Sequence, residues 1–298
     1  MTKKLSALIT GLLLAAPFAG AQEDRGEQPA SIPPAAATTT VAAVGVSDGK
    51  KLNKEVIVAE ETDKWWSVKA STGWDSLYMF RGVNVLGNGN GIYWMSGSVG
   101  ITPWENGAFT ASVWYGTGTS RYYGELDTTI DYTHTFGALA ASFGYINYYY
   151  PNYFFSGNYS QNELYWKLAY SQEAGPVTFT PSAIYYLDLG PSINDVNGLT
   201  KPGSSYLYLR LDASMAVYKD IVSVAPWTGF GISFDYNLNN AGQFISGGNN
   251  WELGVSVPIQ ITDWFSISGY VAYSYQWMDL YETDPSTVWA GASATFSF

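Results

Sequence analysis

Trp251-Glu252-Leu253-Gly254-Val255-Ser256-Val257-Pro258-Ile259-Gln260 sets large apolar side chains at every second position and polar or small ones between them. Successive side chains of an extended chain point to opposite faces, so the stretch predicts a strand with two unlike sides. The pattern recurs. Leu207, Leu209, Leu211, Ala213, Met215 and Val217 alternate with Tyr206, Tyr208, Arg210, Asp212 and Ser214. Leu164, Trp166, Leu168 and Tyr170 alternate with Glu163, Lys167 and Ser171, and Leu126, Ile130 and Tyr132 with Asp127, Thr129 and Asp131. About twelve such segments run through the chain, roughly 66–81, 92–102, 108–117, 125–136, 138–150, 162–173, 177–188, 204–218, 221–237, 250–260, 264–279 and 286–298. Each is long enough to cross a bilayer as a tilted strand, which takes about 9–11 residues.

The connections sort by length. Every second one is tight: Pro103 to Gly107, Phe136-Gly137, Ala174-Gly175-Pro176, Lys219-Asp220 and Ile261 to Asp263. The others are generally longer and rich in Gly and Asn, as in Gly87-Asn88-Gly89-Asn90-Gly91, Leu189 to Gly203 and Leu238 to Asn249. Short periplasmic turns and longer outer loops are the habit of outer-membrane barrels, whose even strand number leaves both termini on one side. Alternation alone does not say which face looks outward. Charges on the polar face of many strands suit a wet lumen. Tyr148, Tyr149, Tyr150, Tyr153, Trp264, Trp277 and Tyr281 cluster near strand ends, as interfacial girdles do. Val288, Ala290, Ala292, Ala294, Phe296 and the terminal Phe298 share one face, the pattern through which assembly machinery recognises the last strand of an outer-membrane barrel.

Composition agrees. The 298 residues are 47% hydrophobic and 17% aromatic but only 13% charged, against roughly a quarter charged in average globular chains. Beyond the N-terminus no apolar run is long enough for a membrane helix. A net charge of −11 argues against nucleic acid as partner, and the absence of cysteine with a single histidine leaves almost nothing for a transition-metal site.

The first residues read as a secretory signal (1–21): Lys3 and Lys4, an apolar stretch from Leu5 to Ala16, and Ala19-Gly20-Ala21 before Gln22. Residues 22–63, with Pro33-Pro34-Ala35-Ala36-Ala37-Thr38-Thr39-Thr40, are too poor in large apolar groups to offset their ordering entropy, and read as a disordered periplasmic linker. Within it, Lys54-Glu55-Val56-Ile57-Val58-Ala59 has a faint likeness to the TonB box, whose receptors carry a plug domain and a larger barrel. The fold expected of residues 64–298 is therefore an all-β, antiparallel, up-and-down transmembrane barrel in the outer membrane, surrounded by lipid.

Tyr78-Met79-Phe80-Arg81-Gly82-Val83, placed by this reading at the end of the first strand, resembles the Tyr-x-Phe-Arg-Gly pattern that opens the TorF-type porins. The match covers only the first hairpin, after which Asn84-Val85-Leu86-Gly87-Asn88 stands where that family commonly has Ser-Gln and a polar loop. The resemblance implies a small barrel with a porin-like role.

Parity assigns a lumen-facing set of Asp75, Arg81, Asp127, Asp131, Glu163, Lys167, Arg210, Asp212, Asp235 and Glu252. Its acidic excess would line a weakly cation-preferring channel for small hydrophilic solutes. The same charges could instead pair and brace a plugged interior, since buried charge is costly unless paired. Two other classes remain. A lipid hydrolase would need His134 as base, but His134 lies beside a periplasmic turn and no serine motif surrounds it. A surface receptor or adhesin would use the aromatic stretch from Tyr149 to Tyr159. Asn194-Asp195-Val196-Asn197-Gly198 has fragments of a calcium loop without its terminal Glu, and the Gly-Asn run at 87–91 precedes no helix that could hold phosphate. No cofactor is implied.

Overall fold

The computed structural model describes residues 65–119, 122–151, 158–193, 201–219, 221–280 and 284–298. The signal segment, the linker, Tyr153, Tyr281 and the 194–198 stretch lie outside them. Among the described residues, twelve long antiparallel strands close into one barrel. They are β1 (Trp66–Asp75), β2 (Ile92–Trp104), β3 (Gly107–Gly118), β4 (Gly124–Phe136), β5 (Leu139–Tyr150) and β6 (Tyr159–Tyr170). The wall continues with β7 (Val177–Ile193), β8 (Ser205–Tyr218), β9 (Val222–Leu238), β10 (Phe244–Thr262), β11 (Phe265–Gln276) and β12 (Ser286–Ser297). Each strand pairs with its neighbours in sequence, and β12 pairs with β1 through Lys69↔Ser297 to Asp75↔Gly291. Val68 and Phe298 exchange both main-chain hydrogen bonds (2.9 and 3.2 Å), so the last residue completes the seam. Closure leaves no row of backbone donors and acceptors facing hydrocarbon.

The turns at the periplasmic end are as tight as their sequences imply. Asn106, Gly137, Gly175 and Lys219 take positive φ of 65, 63, 64 and 47° to reverse the chain. Alternation divides outside from inside: Leu126, Ile130, Leu168, Leu209, Leu211, Leu253, Val271 and Val288 are exposed on the outer surface, and Ile130 in mid-strand is 62% exposed. A charge-free apolar belt of this kind faces lipid. Trp264 stacks on Phe296 and Phe298 (centroids 5.9 and 6.4 Å apart) at the rim where the seam closes.

Three expectations about the strands and their faces need correction. The first strand does not run to 81; it leaves the wall after Asp75, and residues 76–91 turn back into the lumen. There Met79–Phe80 pairs with Val83–Asn84, and the tip is Arg81-Gly82, both at positive φ (45 and 85°), the geometry of a tight hairpin turn. Leu77-Tyr78-Met79-Phe80 is apolar on both faces because both faces are covered. Tyr78 packs with Leu86, Ile92, Trp94, Trp114 and Tyr123 on one side, and Met79 with Trp227, Ala272 and Trp289 on the other. Tyr148 and Tyr150, expected in the outer girdle, point inward and are buried; they share the face of Ser142 and Gly144, while Tyr149 alternates away. The tenth strand begins at Phe244, six residues earlier than 250, because the Gly-Asn stretch before Asn250 stays in the ladder with β9.

The assignment of faces makes a direct forecast. Ile130→Arg puts a charge into lipid and should destabilise the folded barrel by about 2–4 kcal/mol near the bilayer midplane. Ser112→Arg, on the lumen side of the adjacent strand, should cost much less, and equilibrium unfolding from lipid vesicles would compare the two.

Candidate functional site

The inward hairpin is held at its tip by one residue. Arg81 donates Nη1 to Glu163 Oε1 and Nη2 to Glu163 Oε2, both at 2.7 Å, forming a two-pronged pair. Arg81 is 4% exposed and Glu163 0%. Tyr148 and Tyr236 donate their hydroxyls to the same carboxylate (2.9 and 2.6 Å), so Glu163 accepts four hydrogen bonds. The guanidinium is stacked among rings: its carbon lies 3.9 Å from the Tyr186 centroid, 4.3 Å from Phe80, 4.6 Å from Tyr236 and 5.5 Å from Tyr206. The Arg81 carbonyl accepts from Asn237 Nδ2 and Asn249 Nδ2 (3.0 and 2.7 Å). A left-handed conformation costs a non-glycine residue roughly 1–2 kcal/mol. Arg81 keeps it because side chain and carbonyl are both fixed. Gly82 has no such latitude, since a Cβ there would meet Asn249 Nδ2 at 2.7 Å and Asn250 at 2.8 Å.

Further carboxyl groups surround the hairpin. Asp75 accepts from Trp94 Nε1 (3.0 Å) and Tyr270 (2.5 Å); Glu252 accepts from Tyr208 (2.9 Å) and Asn250 (2.7 Å). Asp127 is buried on β4 beside Glu125. Glu125 and Asp188 are buried in the same region, and the sequence reading passes over both although parity with Asp127 places Glu125 inward. Among the described residues, Arg81 is the cation buried in this outer half of the lumen. Lys69, Lys167, Arg210 and Lys219 lie on wall positions or turns nearer the periplasm, and Lys201 is at the exposed rim.

Midway down, Arg210 grips Asp212 through Nε and Nη2 (2.7–2.9 Å) and lies 4.4 Å over the Trp227 ring. Lys167 is within electrostatic reach of Asp131 and Asp212. These four charges balance one another. Asp235 departs from the expected lumen set. A β-bulge between Phe234 and Asn237 gives it φ 57°, and it turns out to the rim, 43% exposed, where it pairs with Lys201 and accepts from Ser246 (2.6 Å). The bulge leaves two residues of this strand, Asp235 and Tyr236, out of the ladder, so neither takes the face that counting along the strand assigns. His134 sits in the outer aromatic belt, 3.0 Å from the Tyr132 hydroxyl with its ring 4.5 Å from Phe136.

The inner half of the lumen has a different lining. Ser67, Ser71, Ser96, Ser98, Thr102, Thr110, Ser112, Ser266, Ser293 and Thr295 face inward there, short, hydroxylated and half-buried. Ser71 and Thr295 bond across the seam at 3.0 Å. Side chains this small fill this side of the inner half less than the rings fill the layer above, while Thr133, Thr135, Ser142 and Ser256 on the other strands are buried.

No protein-family model matches this sequence, and no curated protein matches it. Among solved structures, the chain is similar to the NanC porin (14% identity over 77% of this chain and 98% of that one, TM-score 0.46). It is also similar to the translocator domain of the autotransporter NalP from Neisseria meningitidis (13%, 80% and 90%, 0.46). A third is the transport unit of the autotransporter AIDA-I from Escherichia coli (12%, 87% and 96%, 0.41). These are architectural likenesses at low identity, and the membrane barrel is established by its own closed ladder and lipid-facing belt.

Removing one partner of a buried ion pair strands the other charge. Arg81→Ala should therefore lower stability by about 3–5 kcal/mol. Adding Glu163→Gln to it should recover part of that loss, and a double-mutant cycle on thermal unfolding in detergent measures the coupling.

Proposed function

We propose that this protein is an outer-membrane channel for small hydrophilic solutes, closed at its outer half by its own inward hairpin and weakly selective for cations. The carrying observation is the contrast within one lumen: an outer half packed by a single loop, above an inner half where short, half-buried Ser and Thr side chains of β1, β2, β3, β11 and β12 face inward. A barrel braced throughout for rigidity would have larger side chains on the inner half as well. The closing segment is a loop and not part of the wall, so it can leave without breaking the ladder that makes the barrel stable. Its release would expose Asp75, Glu125, Asp127, Glu163, Asp188 and Glu252, an acidic ring through which cations pass more readily than anions. The Tyr-x-Phe-Arg-Gly stretch that resembles the TorF-type porins is the closing segment itself, which supports a porin-like reading.

Planar-bilayer recording with a salt gradient tests this. The wild type should give small or infrequent cation-selective steps, and Arg81→Ala larger or more frequent ones. Anion selectivity would sink the cation preference. Silence from both proteins, each shown to be folded, would replace the channel with a non-conducting barrel that works through its outer loops.

A further inference from the structure

The group that holds the hairpin has the composition of a ligand site. Set Arg81 and Phe80 aside, and what remains belongs to the wall: Tyr148 on β5, Glu163 on β6, Tyr186 on β7, Tyr206 on β8 and Tyr236 on β9, one residue from each of five consecutive strands. Every member touches the guanidinium or the carboxylate that binds it. We propose that this patch of wall is a binding site for a guanidinium group, occupied in the closed barrel by Arg81 from within, and that a solute bearing a guanidinium competes with Arg81 and opens the channel. The inference deepens the channel reading, on which its last step rests, by naming the class of solute.

The geometry selects guanidinium over other cations. A planar fork of N–H donors meets the two oxygens of Glu163 at equal 2.7 Å distances, a match that a point-like ammonium does not reproduce. The tyrosine hydroxyls hold the carboxylate from its remaining sides, so it stays oriented whichever guanidinium it meets. Tyr186 and Tyr236 offer ring faces at stacking distance, and a weakly hydrated flat cation gains more there than a strongly hydrated one. Arg81 itself is held at an unfavourable φ of 45°, so the internal occupant is bound with strain that a free solute does not carry. That strain lowers the external concentration a solute needs to compete with the tethered group.

The test is chemical rescue, read without reference to conductance. Full-length Arg81→Ala is refolded into detergent micelles in millimolar guanidinium chloride, far below denaturing levels, or in equal n-propylammonium or sodium chloride. Guanidinium should raise the unfolding midpoint by several degrees over sodium and clearly more than n-propylammonium. The wild type, with its site filled, should shift little, and adding Glu163→Gln to Arg81→Ala should abolish the effect. If Arg81→Ala does not fold unaided, the fraction folded with and without guanidinium gives the same reading. Equal effects of guanidinium and sodium, or a rescue that survives Glu163→Gln, would overturn the site. In bilayers, guanidinium should open wild-type channels where sodium does not. Rescue with silent bilayers would fault the channel reading and its opening step while supporting the site; conductance without rescue would fault the site alone.

Discussion

Hydrocarbon offers no partner to a backbone N–H or C=O, and the molecule is arranged around that fact. Each unpaired group in lipid costs several kcal/mol, so a strand sheet can exist there only when its two edges are joined. The seam between β1 and β12, down to the mutual hydrogen bonds of Val68 and Phe298, is what converts a sheet into a membrane protein. Everything else is a consequence of the space that closure creates. Around eight strands give an interior that side chains alone just fill. Twelve leave a wider lumen, and this chain deals with its two halves differently: a hairpin and large aromatic rings fill one, short hydroxyls line the other.

Packing a loop into a lumen requires an apolar interior inside a polar one. Leu77, Met79, Tyr78 and Phe80 supply it, wedged between tryptophans from opposite walls. Rings this large fit because glycines on adjacent strands give way to them. A Cβ on Gly229 would come within 2.1 Å of the Tyr208 hydroxyl, and one on Gly231 within 2.0 Å of that of Tyr206. Both hydroxyls then reach acceptors on β10, Asn250 and Glu252. The same layer that packs the plug thereby gives these two buried hydroxyls their acceptors, as a low-dielectric interior demands.

The strands, their number, the lipid face and the tight turns were legible because the membrane enforces a strict period of two and the turns reverse with few residues. The reading failed where the period is broken for a reason. The run Leu77-Tyr78-Met79-Phe80 has no polar face, which does not suit a wall with lipid on one side and water on the other. Asp235 failed because a bulge takes two residues out of the ladder without leaving a trace in composition. Tyr148 and Tyr150 failed for a different cause: aromatic density near a strand end suggested a girdle, although parity with Ser142 already pointed them inward. The site about Arg81, four tyrosines and Glu163, was illegible as a unit, since its members come from five strands and only barrel curvature brings them together.

On the proposed reading, the distribution of charge would tie closure by the hairpin to cation selectivity. Mid-lumen charges cancel within their own group, whereas the outer half buries acids against the single guanidinium of Arg81 among the described residues. Desolvating a carboxylate is expensive, and Asp75, Glu163 and Glu252 are tolerable because each has neutral donors aimed at it, from Trp94 and Tyr270, Tyr148 and Tyr236, Tyr208 and Asn250. Neutral donors stabilise a charge without cancelling it. The hairpin tip therefore enters a region rich in buried carboxyl groups, and Arg81 is the cation that the chain itself provides there. A loop that left would take that positive charge with it, so opening and acquiring a cation-attracting lumen would be one event, governed by the same carboxylates.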